Sequence, residues 1–259
     1  MLAFVRLHAR KLIWLLLMLV LFWRWGPAAH PLAAAAPVAL QGAKVELGAR
    51  EILDRMVAAY ASAKSYRDVG VVQTTWSGWR SHVNQRPFET AFVRGGGFRF
   101  EYADQGRRSI LDMLMFHDER MVIWGDNQNA KTWWTVHDGQ VEEGTLGLAI
   151  AGATGVSGGA SHSVPRMLLP DAVEGACIDD IEAAMVAGIE SVGGHPCFKL
   201  AGTRGDETVE MWIDRETFLI RRIREVDEIG GKQVEEITAY DPKLNVDLAA
   251  DVFRFEPPK

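Results

Sequence analysis

The segment "GVSGG", Gly155 to Gly159, fits the G-x-S-x-G pattern of a serine nucleophile, with Ser157 supplying the attacking hydroxyl. That pattern performs chemistry where a buried parallel strand turns sharply into a helix and exposes the serine beside its base. Here the preceding "LAIAGAT" has helical spacing and the neighbouring strands read as antiparallel, so the stretch is expected to be a mobile loop rather than a catalytic elbow. His82, His117, His137, His162 and His195 are scattered, and none pairs with another at H-x-x-x-H or H-x-H spacing. The adjacent acids Asp179-Asp180 and Glu235-Glu236 would face opposite ways on a strand and form no acid/base couple. Cys177, His195 and Cys197 could be read as metal ligands, but "HPC" lacks the usual two-residue spacer and no fourth ligand is evident. With no phosphate loop and no zinc signature, neither metal nor cofactor is implied and the chain is expected not to be an enzyme.

Compartment gives the two cysteines a different reading. Arg6, Arg10 and Lys11 precede an uncharged apolar run from Leu12 to Trp23, followed by Gly26-Pro27 and "HPLAAAAPV". A basic front, an apolar stretch of about a dozen residues and small residues at its end describe a secretory signal peptide over residues 1–36, cut near Ala34 to Ala36. The run falls short of the roughly 20 residues of a membrane span; an uncleaved anchor is the alternative. After export, Cys177 and Cys197 are expected to pair in an oxidising compartment, closing a loop worth about 3 kcal/mol.

Residues 37–259 then form one domain. The leader carries four of the 28 basic residues and none of the 34 acidic ones, which leaves 24 against 34, a formal charge of about −10. That balance excludes nucleic acid and anionic membrane surfaces as primary partners, since both reward clustered Lys and Arg.

The elements that must position any site follow from periodicity. Ile52, Leu53, Met56, Val57 and Tyr60 recur at three- and four-residue spacing and predict a helix from Ala49 to Lys64. Short β-rich runs follow: "VGVVQTTW", "PFETAFV", "GFRFEYAD", "SILDMLMF", "RMVIWGD" and "KTWWTVHDG". Their short polar connections suit hairpins and an antiparallel sheet. Residues 144–180 return to helical spacing, with a second helix near Val164 to Leu169, and inserted helices pack over or across a sheet. Strands resume with "MVAGIESVGG", "PCFKLAG", "ETVEMWID", "FLIRRIREVDE" and "KQVEEITAYD", and the edge-like tail "NVDLAADVFRFEPPK" closes an α+β chain.

Within this frame, "AFVRGGGFRFEYAD" places Phe98, Phe100 and Tyr102 on one face of a strand and Arg99 and Glu101 on the other. Trp-rich strands are ordinarily core. A concave sheet lined by these rings with Phe92, Trp124, Trp134 and Met211, and with helices across its mouth, would instead be a pocket for a lipid-like ligand.

The succession of leader, helix, "FETAFVRGGGFRFEYAD", "VIWGD", an interior helical segment, "GHPCFKLAG", "ETVEMWID", "TFLIRRI" and "VFRFEPP" resembles the periplasmic LolA/LolB-like superfamily over about Ala49 to Pro258, most closely its branch of exported proteins without assigned activity. The resemblance implies an incomplete antiparallel β-barrel, a half-barrel whose concave face is covered by helices and which in the founding carriers receives lipoprotein acyl chains. Arg94 matches the arginine of the carriers' Arg-Pro turn, and Gly95 replaces the proline. The implied function is periplasmic binding of a hydrophobic ligand, a lipid or lipoprotein acyl chain, without chemistry and without stable membrane insertion after cleavage. The alternative is a protein-interaction or envelope-stress sensor module of the same fold, with an envelope protein as partner.

Overall fold

The computed structural model describes residues 38–39, 47–77, 82–103, 120–134 and 141–254. The leader, "SILDMLMF", His117 and His137 lie outside the described residues. Helix α1 (Ala49–Ala61) turns Ile52, Leu53, Met56 and Tyr60 inward, the face its spacing predicts. Strands β1 (Val38–Ala39), β2 (Ser65–Trp76), β3 (His82–Val93), β4 (Phe98–Ala103), β5 (Arg120–Gly125), β6 (Asn129–Trp134) and β7 (Val141–Thr145) precede two short helices, α2 (Leu146–Thr154) and α3 (Ala160–Leu168). Strands β8 (Glu182–Val192), β9 (His195–Arg204), β10 (Glu207–Asp214), β11 (Ile220–Ile229), β12 (Lys232–Tyr240) and β13 (Lys243–Leu244) complete the chain. The tail forms a 3-10 turn at Ala250–Phe253 rather than the expected edge segment.

Twelve strands run in the order β1-β8-β9-β10-β11-β12-β2-β3-β4-β5-β6-β7, with β13 added beside β2, and every pairing is antiparallel. The sheet does not close: β1 and β7 are its ends among the described residues. Sequential hairpins explain the order, because short loops can join only neighbouring antiparallel strands. The excursion from β7 through α2 and α3 to β8 carries those helices over the sheet and restarts the chain at the far end, next to β1, from which α1 leads to β2. The fold is thus an open antiparallel half-barrel whose concave face is covered by helices.

Alternation along each strand separates two chemistries. Inward go Tyr66, Val72, Phe88, Phe92, Phe98, Phe100, Tyr102, Met121, Ile123, Phe198, Leu200, Met211 and Tyr240, in one buried cluster with the helices' apolar faces. Outward go ion pairs that cross from strand to strand: Lys199 reaches Glu210 at 2.7 Å, and Arg224 reaches Glu210 at 2.9 Å and Glu235 at 2.7 Å. Each buried aliphatic or aromatic side chain contributes about 1.5–3 kcal/mol, so the inward rows carry the fold while the outward ladders contribute little apiece. At Gly70 a Cβ would collide with the Phe88 ring and the Ala239 carbonyl, so only glycine lets that ring lie across β2.

Candidate functional site

On β4, Phe98, Phe100 and Tyr102 are fully buried and alternate with Arg99 and Glu101, which pair with each other at 2.8 Å on the outer face. Phe88 comes in from β3, its ring centroid 6.1 Å from Phe100 and 5.6 Å from Tyr240, and Phe100 lies 6.4 Å from Tyr102. These are the offset and edge-on separations that aromatic pairs favour. Phe92 and Met211 join the same cluster from β3 and β10. Five of the eight residues singled out as ligand-binding therefore share one concave floor.

Arg94 lies at the rim of that floor. Its Nε donates to the Ala63 carbonyl at 2.8 Å, its Nη2 to the Tyr60 carbonyl at 3.4 Å, and its guanidinium stands 5.2 Å from the Phe92 ring. The end of α1 has no basic residue of its own, and its free carbonyls need donors. Arg94 supplies them from the β3–β4 turn. Gly95 in that turn has φ +69°, a value closed to proline, so an Arg-Pro pair could not adopt this backbone.

Trp124 is corrected by the structure. Met121 and Ile123 of β5 take the concave face, so Trp124 points outward in register with Arg99 and Lys131. There it lines an open groove of about 850 Å³ with Phe253, Gly97, Lys131 and Glu143. Trp134 stands opposite Met121 in register, and its side chain lies outside the described residues. The expected bridge is also corrected: both thiols are free. Cys177 packs at the margin of the main cluster, whereas Cys197 faces outward with Val192 and Trp212, so the two sit on opposite sides of the sheet. Burial pushes the Cys177 thiol up to about 11 and the Cys197 thiol up to about 12. Ser157 is buried instead of sitting on a mobile loop; its Oγ accepts the Ser161 amide at 3.2 Å and donates to the Thr154 carbonyl at 3.4 Å, splicing α2 to α3.

Sequence reasoning missed the polar group under the helices. Asp68 follows Tyr66 at the two-residue spacing of the concave face and is buried. Its Oδ1 accepts the Asp241 amide at 2.9 Å, while Oδ2 and the Tyr66 hydroxyl have no well-formed hydrogen bond. Burial pushes the carboxyl up to about 7, against the pull of Tyr66 and the Asp241 amide. The Tyr60 hydroxyl of α1 accepts the Ile220 amide at 3.0 Å and its ring meets Tyr66 at 5.8 Å. A lone acid at an inward parity of an apolar strand was the available signal.

Residues 157–259 match a sequence family described as "Predicted periplasmic protein (DUF2092)". The periplasmic location expected from the leader agrees with that description, and no helix among the described residues is long and apolar enough to cross a membrane. A comparison with curated proteins finds no match. Among solved structures, the chain is similar to LprF from Mycobacterium bovis, at 12% identity and TM-score 0.43, covering 78% of this chain and 94% of that one. It is similar to a LolA superfamily protein from Nitrosomonas europaea, at 13% identity and TM-score 0.31, covering 81% and 98%. It is also similar to MucB in complex with MucA(peri), at 15% identity and TM-score 0.42, covering 80% of this chain and 60% of that one.

Proposed function

We propose that this is a periplasmic binding protein that receives a hydrophobic ligand, a lipid or lipoprotein acyl chain, between the aromatic floor and the helices. One observation carries the reading. The concave face is apolar around Phe98, Phe100 and Met211, yet part of its cover is α2, a helix without a single charged residue that leaves Leu148 71% exposed. A helix apolar all round belongs in an apolar surrounding on both sides. α2 buries Leu146, Ile150 and Ala153 against the cluster; an acyl chain would take those contacts in its place. Neither nucleophile nor acid/base couple enters this account.

Mass spectrometry of organic extracts from protein purified from its own periplasm tests the proposal, and a defined lipid in near-stoichiometric amount is the expected result. Uptake of a fluorescent fatty-acid probe should be abolished by Phe100→Arg, because an unpaired charge cannot be accommodated among those rings. A second reading follows from the complete burial of the floor: a protein that covers Leu148 and α2 from outside, as an interaction or sensor module would require. Absence of both lipid and probe, with a stable complex to an envelope polypeptide, would favour it.

A further inference from the structure

Two tryptophans of the outer face are treated differently. Trp212 is sealed: Lys199 lies 5.0 Å and Arg222 5.8 Å from its ring, Glu190 accepts its indole N–H at 2.7 Å, and the side chain is buried. Trp124 is only half-buried and lines the open groove of about 850 Å³ at the β3–β4 and β5–β6 turns. A second ring, Phe253, enters that groove from the tail. It rests on Gly97, where a Cβ would collide with it, and Arg99 ties the tail there by donating to the Arg254 carbonyl at 3.5 Å. The rest of the lining is polar. Lys131 and Glu143 pair from β6 to β7 at 2.8 Å, both exposed. Asp126 spends one carboxylate oxygen on the Gln128 and Asn129 amides, each at 2.8 Å, and its other oxygen has no hydrogen-bond partner among the described residues.

We propose that this outer groove is a saccharide site, in which a neutral sugar lays its C–H face on Trp124 and Phe253 while its hydroxyls bridge Asp126, Lys131 and Glu143. The lining dictates the class. A carboxylate only accepts hydrogen bonds and an ammonium only donates them, so a guest that satisfies all three groups must carry donors and acceptors side by side. A sugar hydroxyl is both. Two acids against one base disfavour an anionic guest. An acyl chain offers no hydrogen bond at all, and a proline-rich peptide, which also docks in aromatic grooves, lacks the N–H donors that two carboxylates require. The faintly positive C–H edges of a sugar ring suit the negative face of an indole or a phenyl ring. The volume falls within the range of about 300–1,000 Å³ common to small-molecule sites. The groove lies on the opposite side of the sheet from Phe98, Phe100 and Met211, so this inference stands apart from the lipid reading.

The test is titration of the full protein with maltotetraose, cellotetraose, mannotetraose and chitotetraose, followed through the backbone amides by NMR. The expected result is that at least one of them shifts residues 96–97, 124–131 and 143–145 saturably at millimolar concentration or below, and that Trp124→Ala weakens that binding about tenfold or more. Saturating fatty-acid probe should leave it unchanged. No shift from any of the four overturns the proposal, as does a shift confined to other residues, one that Trp124→Ala retains, or one that the fatty-acid probe abolishes. Should Trp124→Ala not fold, Glu143→Gln decides: it alters an exposed side chain, so the melting temperature should hold while saccharide binding weakens about threefold or more. Binding equal to that of the wild type overturns the site. A protein that binds a saccharide here but no fatty-acid probe loses the lipid reading and keeps this one.

Discussion

Two helices cover the same floor by different means. α1 presents charge to water, with Arg50–Asp54 at 2.8 Å and Glu51–Arg55 at 2.6 Å, and reaches a neighbouring turn through Arg50–Asp179 at 2.8 Å. Its far end is fastened by Arg94 and by the Tyr60 hydroxyl. α2 has no ion pair: the Thr145 side chain accepts the Leu148 amide at its start, the Leu146 amide reaches the Gln128 carbonyl at 3.4 Å, the Ser161 and Ser157 hydroxyls of the α3 side reach the Ile150 and Thr154 carbonyls at 3.4 Å, and the rest is apolar contact below. Directional bonds hold an element in one position, whereas apolar contact is non-directional and can be exchanged for another apolar surface. The two helices are therefore distinguished by where their polar ties lead: those of α1 run to the sheet and its turns, those of α2 chiefly to its own cap and to α3.

The harshest way to break this comparison is to remove the floor beneath both. Phe100→Ala should cost about 3–5 kcal/mol in urea unfolding if the rings are simply packed. A markedly smaller loss, accompanied by weaker probe binding, would mean the floor tolerates vacancy as a ligand site does. Next in size is Arg94→Ala, which strips donors from two carbonyls at the end of α1 and should cost about 1–3 kcal/mol. Its sharper readout is hydrogen exchange, in which α1 should come to exchange as readily as α2 while the strands stay protected. Leu148→Lys should change stability by less than about 0.5 kcal/mol, since the side chain already stands in water, but should weaken capture of a hydrophobic probe. Comparably small is Arg50→Ala: its surface pairs are expected to contribute under about 1 kcal/mol, shrinking further in high salt. A large effect there would erase the distinction between the helices' ends and their charged faces.

Much of the frame was legible because it obeys single periods. The three-four spacing of Ile52, Leu53, Met56 and Tyr60 and the two-residue spacing of Phe98, Phe100 and Tyr102 each report one face of one element. Trp124 was misplaced for a related reason: its bulk suggested core, but its parity relative to Met121 and Ile123 sends it outside. Parity would have corrected it. The cysteines could not be placed by any local rule, since the side of the sheet that each faces depends on how β9 and the turn before β8 are stacked. An oxidising compartment favours pairing, but the sheet stands between the two thiols. Asp68 is the reverse case, visible by parity in "SYRDVGVV" yet uninterpretable until Tyr60 and Tyr240 arrive from distant elements.

An open sheet has to stop somewhere, and its stopping strand is a standing offer of backbone hydrogen bonds to any passing chain. All five residues of β7 are exposed, and two of them are Glu142 and Glu143; at the other end, β1 is only two residues long. Two copies meeting along β7 would bring their Glu142 side chains together beside two Glu143–Lys131 pairs, while β1 is too short to template a lasting ladder. The opening between the two ends of the sheet is thereby guarded against a second copy, by charge on one side and by brevity on the other.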